Sequence, residues 1–457
     1  MSSRSPAAPV FLTTLLLHLL AAGVIAMLLM NRLVAVRPQT TAPESDARTY
    51  VRLALAVSEF GVYGMYRDGE HAPQPAMDVM PLYPLFVAAL MRADHALRDT
   101  LTCVMSRLPQ AQCSQAYDSL IRVQTALMAA SAVLVWLTAW VWSGRLGVTW
   151  AAMVAAFAAA VLPEFAPQFL TENLSLPLAG VFTLGLAMFL RDQRRWLAAT
   201  LIGIALGLLA LTRPSFWYLL LAATALTALL VLLPRSRQRA LPLVLSCALA
   251  MCFALPWLAR NHQVFGQAVM SGGPYGGRSL IQRVTYNDMR DDEFAAAFIY
   301  WLPDFGDALA KLLLPATSYR RLGWEEDSFY ALGVRRVREA LRAGPAHTDV
   351  ERLVREQVLQ RPFAHARATL ALAWRGLFIG KSWGLVAWLC AAVILYRGWR
   401  VRDYDFALLC LPALFLCLFQ AAISVSIPRY NLMLLAPLSI AMAQQVDDYL
   451  RRRRSAA

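Results

Sequence analysis

Charge is scarce in this chain of 457 residues: Asp, Glu, Lys and Arg make up 16%, against 58% hydrophobic residues. A water-soluble domain cannot hide that much apolar side chain, so a soluble fold is excluded. Lysine is almost missing. Of 43 basic residues only Lys311 and Lys381 are lysines, and the rest are arginines. Those arginines cluster in short links between apolar runs, so the net charge of +14 reports membrane topology and no nucleic-acid partner is expected. The seven cysteines form no C-x-x-C pattern and no Cys/His cluster, which leaves no structural metal to expect. No A-x-A cleavage pattern follows the first apolar run, Phe11–Met30, so that run reads as a retained helix.

What is present is apolar sequence in blocks of roughly 20 residues, the length that spans a bilayer core. The mean hydropathy is +0.48. Candidate spans are 11–33, 119–142, 148–163, 173–190, 196–212, 215–233, 239–258, 376–396, 405–422 and 430–446. The expected fold is an all-α polytopic membrane protein of about ten transmembrane helices, within a range of about nine to twelve. One transmembrane domain covers 1–446, followed by a basic cytoplasmic tail at 447–457.

Arginine placement sets the orientation. With both ends in the cytoplasm, the cytoplasmic pieces hold 15 arginines against 5 acids, ending in Arg451-Arg452-Arg453-Arg454. The short outer turns carry Arg213 and Arg429 against Glu164 and Glu172. The expected location is a bacterial inner membrane. Two long segments, 34–118 and 259–375, then lie on the periplasmic side, where the charge rule does not bind them. In the first, Tyr50-Val51-x-Leu53-Ala54 repeats at helical spacing, and Pro81 to Met91 is apolar but too short to span. Both read as amphipathic or interfacial helices on the outer face, with Gly61, Gly64 and Gly69 turning between them. Cys103 and Cys113 flank a polar stretch of this segment, where a disulfide fits an oxidising compartment. The second segment opens on Gly272-Gly273-Pro274-Tyr275-Gly276-Gly277 and continues with helix-compatible charged stretches. Its aromatics, among them Tyr275, Tyr286, Trp301, Tyr319, Trp324 and Tyr330, either stack on sugars or pack the loop helices.

The outer helix ends collect polar groups: Asp46 after the first span, Glu172, Arg213, Arg260, Lys381, Arg429 and Tyr430. Taken alone, each has an ordinary reading. An interfacial arginine snorkels, Asp46 or Glu172 caps a helix, and Tyr83 belongs to an aromatic belt. Taken together, carboxylates and cations at one depth predict a site for a lipid-linked phosphate. Cations would neutralise a departing phosphate. A carboxylate would take the proton of an incoming hydroxyl or amine.

Six stretches in this order resemble the GT-C superfamily of integral-membrane glycosyltransferases. They are Ser45-Asp46-Ala47 with Tyr50; Pro81-Leu82-Tyr83-Pro84-Leu85-Phe86; Thr171-Glu172; Gly207-Leu208-Leu209-Ala210-Leu211-Thr212-Arg213-Pro214; Pro256-Trp257-Leu258-Ala259-Arg260-Asn261; and Pro428-Arg429-Tyr430. The similarity is greatest to the bacterial protein-mannosyltransferase-like and aminoarabinose-transferase-like (family 39-like) members. The resemblance implies a GT-C-like bundle and a polyprenyl-phosphate-linked sugar as donor. It implies a periplasmic acceptor (lipid, glycan or protein) and no cofactor. It makes Asp46 the catalytic base and Glu172 a second acidic site residue. Tyr50, Tyr83, Arg213, Arg260, Lys381, Arg429 and Tyr430 become substrate contacts. The chain departs from the family where Glu44 and Asp46 are separated by Ser45, and where Asp78-Val79-Met80 precedes the proline-tyrosine motif. A ligase or polymerase with a pyrophosphate-linked donor is one alternative. A secondary transporter is another, although the chain shows no internal repeat and its spans hold little interior charge beyond His18.

Overall fold

The computed structural model describes residues 8–36, 43, 46–65, 72–106, 113, 116–234, 236–272 and 276–456. Glu44, Ser45, Gly69 and the Gly273-Pro274-Tyr275 stretch lie outside these. Apart from two extended segments of two residues, Gly64–Met65 and Gln74–Pro75, the regular structure among the described residues is helical. The helices in chain order are α1 (Ala8–Ala35), α2 (Asp46–Phe60), α3 (Leu82–Ala93), α4 (His95–Met105), α5 (Asp118–Ser143), α6 (Leu146–Ala158), α7 (Val161–Phe165), α8 (Glu172–Leu190), α9 (Arg195–Ala210), α10 (Pro214–Leu232) and α11 (Arg237–Phe265). Then follow α12 (Arg278–Val284), α13 (Asp291–Tyr300), α14 (Gly306–Leu313), α15 (Ala316–Tyr319), α16 (Phe329–Ala343), α17 (Val350–Leu353), α18 (Pro362–Gly376), α19 (Ser382–Val401), α20 (Asp405–Ile423) and α21 (Leu435–Ala456).

Among the described residues seven helices are long and apolar enough to cross a membrane: α1, α5, α8, α10, α11, α19 and α20. The other three expected spans coincide with shorter or broken helices. The first stops at Ala158, because Ala160 sits in the left-handed region (φ 57) and starts the short α7. The second, α9, covers 16 residues. It ends before Arg213, whose extended backbone (φ −148, ψ 138) is what a residue before proline prefers. The third is split into a 3-10 turn, Pro428–Leu434, and α21, which continues as helix through the arginine tail. The expected start at residue 376 is also displaced. Gly380 and Lys381, with φ of 60 and 59, interrupt the chain and α19 begins at Ser382. Pro177, Pro242, Pro256 and Pro412 stay inside helices α8, α11 and α20. Neighbouring protein can re-satisfy the backbone there.

Packing divides the chain into two compact units. The first holds residues 1–73, 83–202 and 439–457. Its centre is α5, against which α1, α4, α6, α7 and α8 pack. Gly180 lets α8 approach closely, since a Cβ there would stand 2.9 Å from that of Leu134. Cys103 and Cys113 are joined by a disulfide in this unit. The second holds 74–82 and 203–438. Here Gly203 and Gly207 of α9 lie directly on Ser246 and Ala250 of α11, and a Cβ at Gly207 would sit 2.9 Å from the Ala250 backbone. Small residues four apart on facing helices are how apolar helices approach without a hydrophobic driving force. So the glycine that opens the Gly207-to-Pro214 motif has a packing role. Helices α13, α15, α16 and α18 share a core built on Tyr286, Trp301, Phe329, Ala371 and Leu372, which continues onto Cys417 and Ala421 of α20, while α12 and α17 pack together through Leu280, Ile281, Val284 and Leu353.

Candidate functional site

The expected site residues divide between the units. Asp46, Tyr50, Tyr83 and Glu172 belong to the first; Arg213, Arg260, Lys381, Arg429 and Tyr430 belong to the second. Each half is built differently.

In the first unit Asp46 is the exposed first residue of α2. Residues four apart share a helix face, so Tyr50 stands on the same side one turn later. The Tyr50 ring meets the Tyr83 ring edge-on, with centroids 5.4 Å apart. Tyr83 is fully buried, and its hydroxyl donates to Gln124 Oε1 at 2.8 Å. Burial, then the Tyr50 phenol and then the Glu172 carboxylate push the Tyr83 phenol well above its ordinary range. It therefore stays a protonated donor. Gln124 also donates through Nε2 to the carbonyls of Ala166 and Gln168, at 2.8 and 3.2 Å. Asn173 donates to Phe165 O, Gln168 O and Leu170 O. These two amides satisfy the irregular backbone between α7 and α8, which an apolar environment would otherwise leave costly. Glu172 opens α8 at 0% exposure, accepting from Thr171 Oγ1 at 3.3 Å. The structure thus gathers Tyr50 and Glu172 near Tyr83, whose hydroxyl is held by Gln124, a residue absent from the sequence-based set. Its only early signal was an amide inside an apolar run.

In the second unit Arg213 and Arg429 flank one ring. Their guanidinium carbons lie 5.3 and 5.5 Å from the Tyr430 centroid, within cation–π reach. Arg213 stands at the end of α10 and Arg429 in the 3-10 turn, both half-buried. Arg260 is engaged elsewhere. Its Nη1 donates to Ala76 O at 2.7 Å and to Asn261 Oδ1 at 2.9 Å, and the group stacks with Trp257 and Phe265. With Trp257 Nε1 donating to Met270 O and Asn261 Nδ2 to Val269 O, it ties the 74–82 and 266–272 segments to the end of α11. Lys381 is exposed and pairs with Asp304 at 3.6 Å, where Ser382 N and Oγ also donate. The structure brings Arg213, Arg429 and Tyr430 together, and it gives Arg260 and Lys381 partners of their own.

Two further residues of the second unit were not singled out from sequence. Arg283 is fully buried, and its guanidinium donates to Ala421 O, Asn287 Oδ1, His365 O and Thr369 Oγ1. Burial lowers its pKa to about 10. It staples α12 to α18 and α20. Arg375 lies over the rings of Trp301 and Trp324. Nothing local distinguishes either one from the other arginines of the 259–375 segment. Among the described residues no three His, Cys, Asp or Glu side chains are grouped so as to hold a metal ion.

No family model matches this chain, and no curated protein matches it either. Among solved structures it is similar to the crystal structure of ArnT from Cupriavidus metallidurans bound to undecaprenyl phosphate. The identity is 13% and the TM-score 0.35, over 94% of this chain and 78% of that one. A likeness this loose carries no conclusion about fold or activity.

Proposed function

We propose that this protein is a membrane glycosyltransferase that moves a sugar from a polyprenyl-phosphate carrier to an acceptor on the periplasmic face. The observation that carries the reading is the pair of guanidiniums on Tyr430, because two cations at the ends of apolar helices suit a lipid phosphate. In this reading the bond between the sugar's anomeric carbon and the phosphate oxygen breaks. The phosphate leaves with both electrons, and Arg213 and Arg429 stabilise its charge. The acceptor's hydroxyl or amine attacks the anomeric carbon and gives its proton to the Asp46 carboxylate. Glu172 orients the sugar or the acceptor, and Tyr83 works through Tyr50. Arg260 and Lys381 contribute positive charge while holding the partners described above. Helices α6, α9 and α21 complete ten spans in a GT-C-like bundle of a bacterial inner membrane, with both ends cytoplasmic.

The test is transfer from purified lipid-linked donors to cell-envelope acceptors. Asp46→Asn is expected to lower the rate by about 10²–10⁴-fold. Because Asp46 is exposed, the variant should melt as the wild type does. Full activity in Asp46→Asn would remove Asp46 from the chemistry.

A further inference from the structure

In the second unit Trp324 is a large exposed aromatic on a braced loop. Trp324 is 62% exposed, whereas Trp301 and Tyr286 beneath it are 9% and 1% exposed. The loop around it is not slack. Ser328 N donates to Glu325 O at 2.9 Å, Arg335 Nη1 donates to Glu326 O at 2.7 Å, and Arg320 pairs with Asp327 at 2.9 Å. Gly323 is needed as well, since a Cβ there would meet the Tyr300 hydroxyl at 2.9 Å. Tyr330 meets the indole edge-on with centroids 4.6 Å apart, and the Arg375 guanidinium lies 4.8 Å from its centroid. Arg375 is itself backed by Trp301, whose ring centroid lies 5.4 Å from its guanidinium. Glu325 follows Trp324 directly in the chain and is exposed, which sets a carboxylate beside the indole on the same loop.

A preset indole beside a forked donor and a carboxylate matches one chemistry. A pyranose ring offers an apolar face of C–H groups and an edge of hydroxyls. The face packs on an aromatic ring. Each hydroxyl both donates and accepts, so it uses a guanidinium and a carboxylate together. An anionic sugar would meet Glu325 and Glu326, both exposed. The same two carboxylates disfavour burying the loop tip in a bilayer. We propose that Trp324, Arg375 and Glu325 form a saccharide-binding platform for a neutral pyranose. Its use as an acceptor dock rests on the glycosyltransferase reading; the binding itself does not.

The test uses the full-length protein in nanodiscs, without any donor. The probes are neutral gluco-, manno- and galacto-oligosaccharides and their uronic acid counterparts, followed by saturation-transfer NMR and calorimetry. The wild type is expected to bind at least one neutral oligosaccharide with a Kd of about 1 mM. Trp324→Ala should weaken it by about tenfold or more, and Trp324→Phe by no more than about threefold. Glu325→Gln should narrow the preference against the uronic acid. The proposal is overturned if no neutral oligosaccharide binds, or if Trp324→Ala binds as the wild type does. It is also overturned if brominated lipids quench a fluorescence component that Trp324→Ala removes, since the indole would then be a membrane anchor. Binding retained in a protein that transfers no sugar would count against the glycosyltransferase reading and leave the platform standing.

Discussion

The two units hold their candidate site residues in different ways. The first places its polar residues inside and neutralises them with amides: Tyr83, Gln124, Asn173 and Glu172 are all fully buried, and Gln124 and Asn173 spend their donors on backbone carbonyls. The second keeps its cations on aromatic surfaces, as with Arg213 and Arg429 on Tyr430 or Arg375 on Trp301 and Trp324. Arg283 departs from that pattern, buried and bonded to four acceptors, as do the ion-paired Lys381 and Arg320. A hydrogen-bonded amide network fixes geometry and yields little when perturbed. A guanidinium resting on a ring keeps its positive charge on an apolar surface. The first arrangement suits positioning a carboxylate, and the second suits receiving an anion.

The largest expected effect separates helix packing from both. Gly207→Leu would drive a side chain into the Ala250 backbone, a loss of about 3 kcal/mol or more. The variant should fail to yield monodisperse protein by size exclusion. Gly23→Leu on α1, where a Cβ meets nothing within 4 Å, should behave as the wild type. Normal behaviour of Gly207→Leu would break the account of α9 on α11.

A smaller effect tests the amide network of the first unit. Gln124→Leu leaves the Tyr83 hydroxyl and the carbonyls of Ala166 and Gln168 without this partner, at about 2 kcal/mol. Adding Tyr83→Phe should recover part of that loss in a double-mutant cycle of thermal or denaturant unfolding. Strict additivity of the two changes would show that the hydroxyl and the amide are not coupled.

The smallest effect sits in the second unit and depends on pH. Burial, and then the Arg283 charge, hold His365 at about 4, below its ordinary 6.5. Below pH 6.5 the unfolded chain takes up a proton that the folded chain refuses, so folding stability falls from about 6.5 down to about 4 and then levels off. Melting temperatures across that window should drop for the wild type and much less for His365→Gln. Equal slopes would place the sensitive group elsewhere.

The apolar runs made the membrane class legible, and α5, α8 and α10 begin and end within a residue or so of the sequence-based limits. The spans that did not transfer cleanly fail for local backbone reasons: a left-handed Ala160, and the Gly380–Lys381 break before α19. Arg213, Arg429 and Tyr430 could be singled out as polar groups at helix ends, but not their stacking. Arg260 and Lys381 looked alike in sequence, yet their partners Ala76 and Asp304 lie 184 and 77 residues away, beyond any local pattern. Gln124 and Arg283 were missed for the same reason, since what distinguishes them is burial among distant carbonyls.

The division of labour is tested most directly by binding polyprenyl phosphate, without sugar, to the purified protein in nanodiscs. The account predicts that Asp46→Asn binds it as tightly as the wild type does. The double variant Arg213→Gln/Arg429→Gln should bind it about a hundredfold more weakly, the loss of two charge-assisted contacts. Unchanged binding in the double variant, or lost binding in Asp46→Asn, would contradict it.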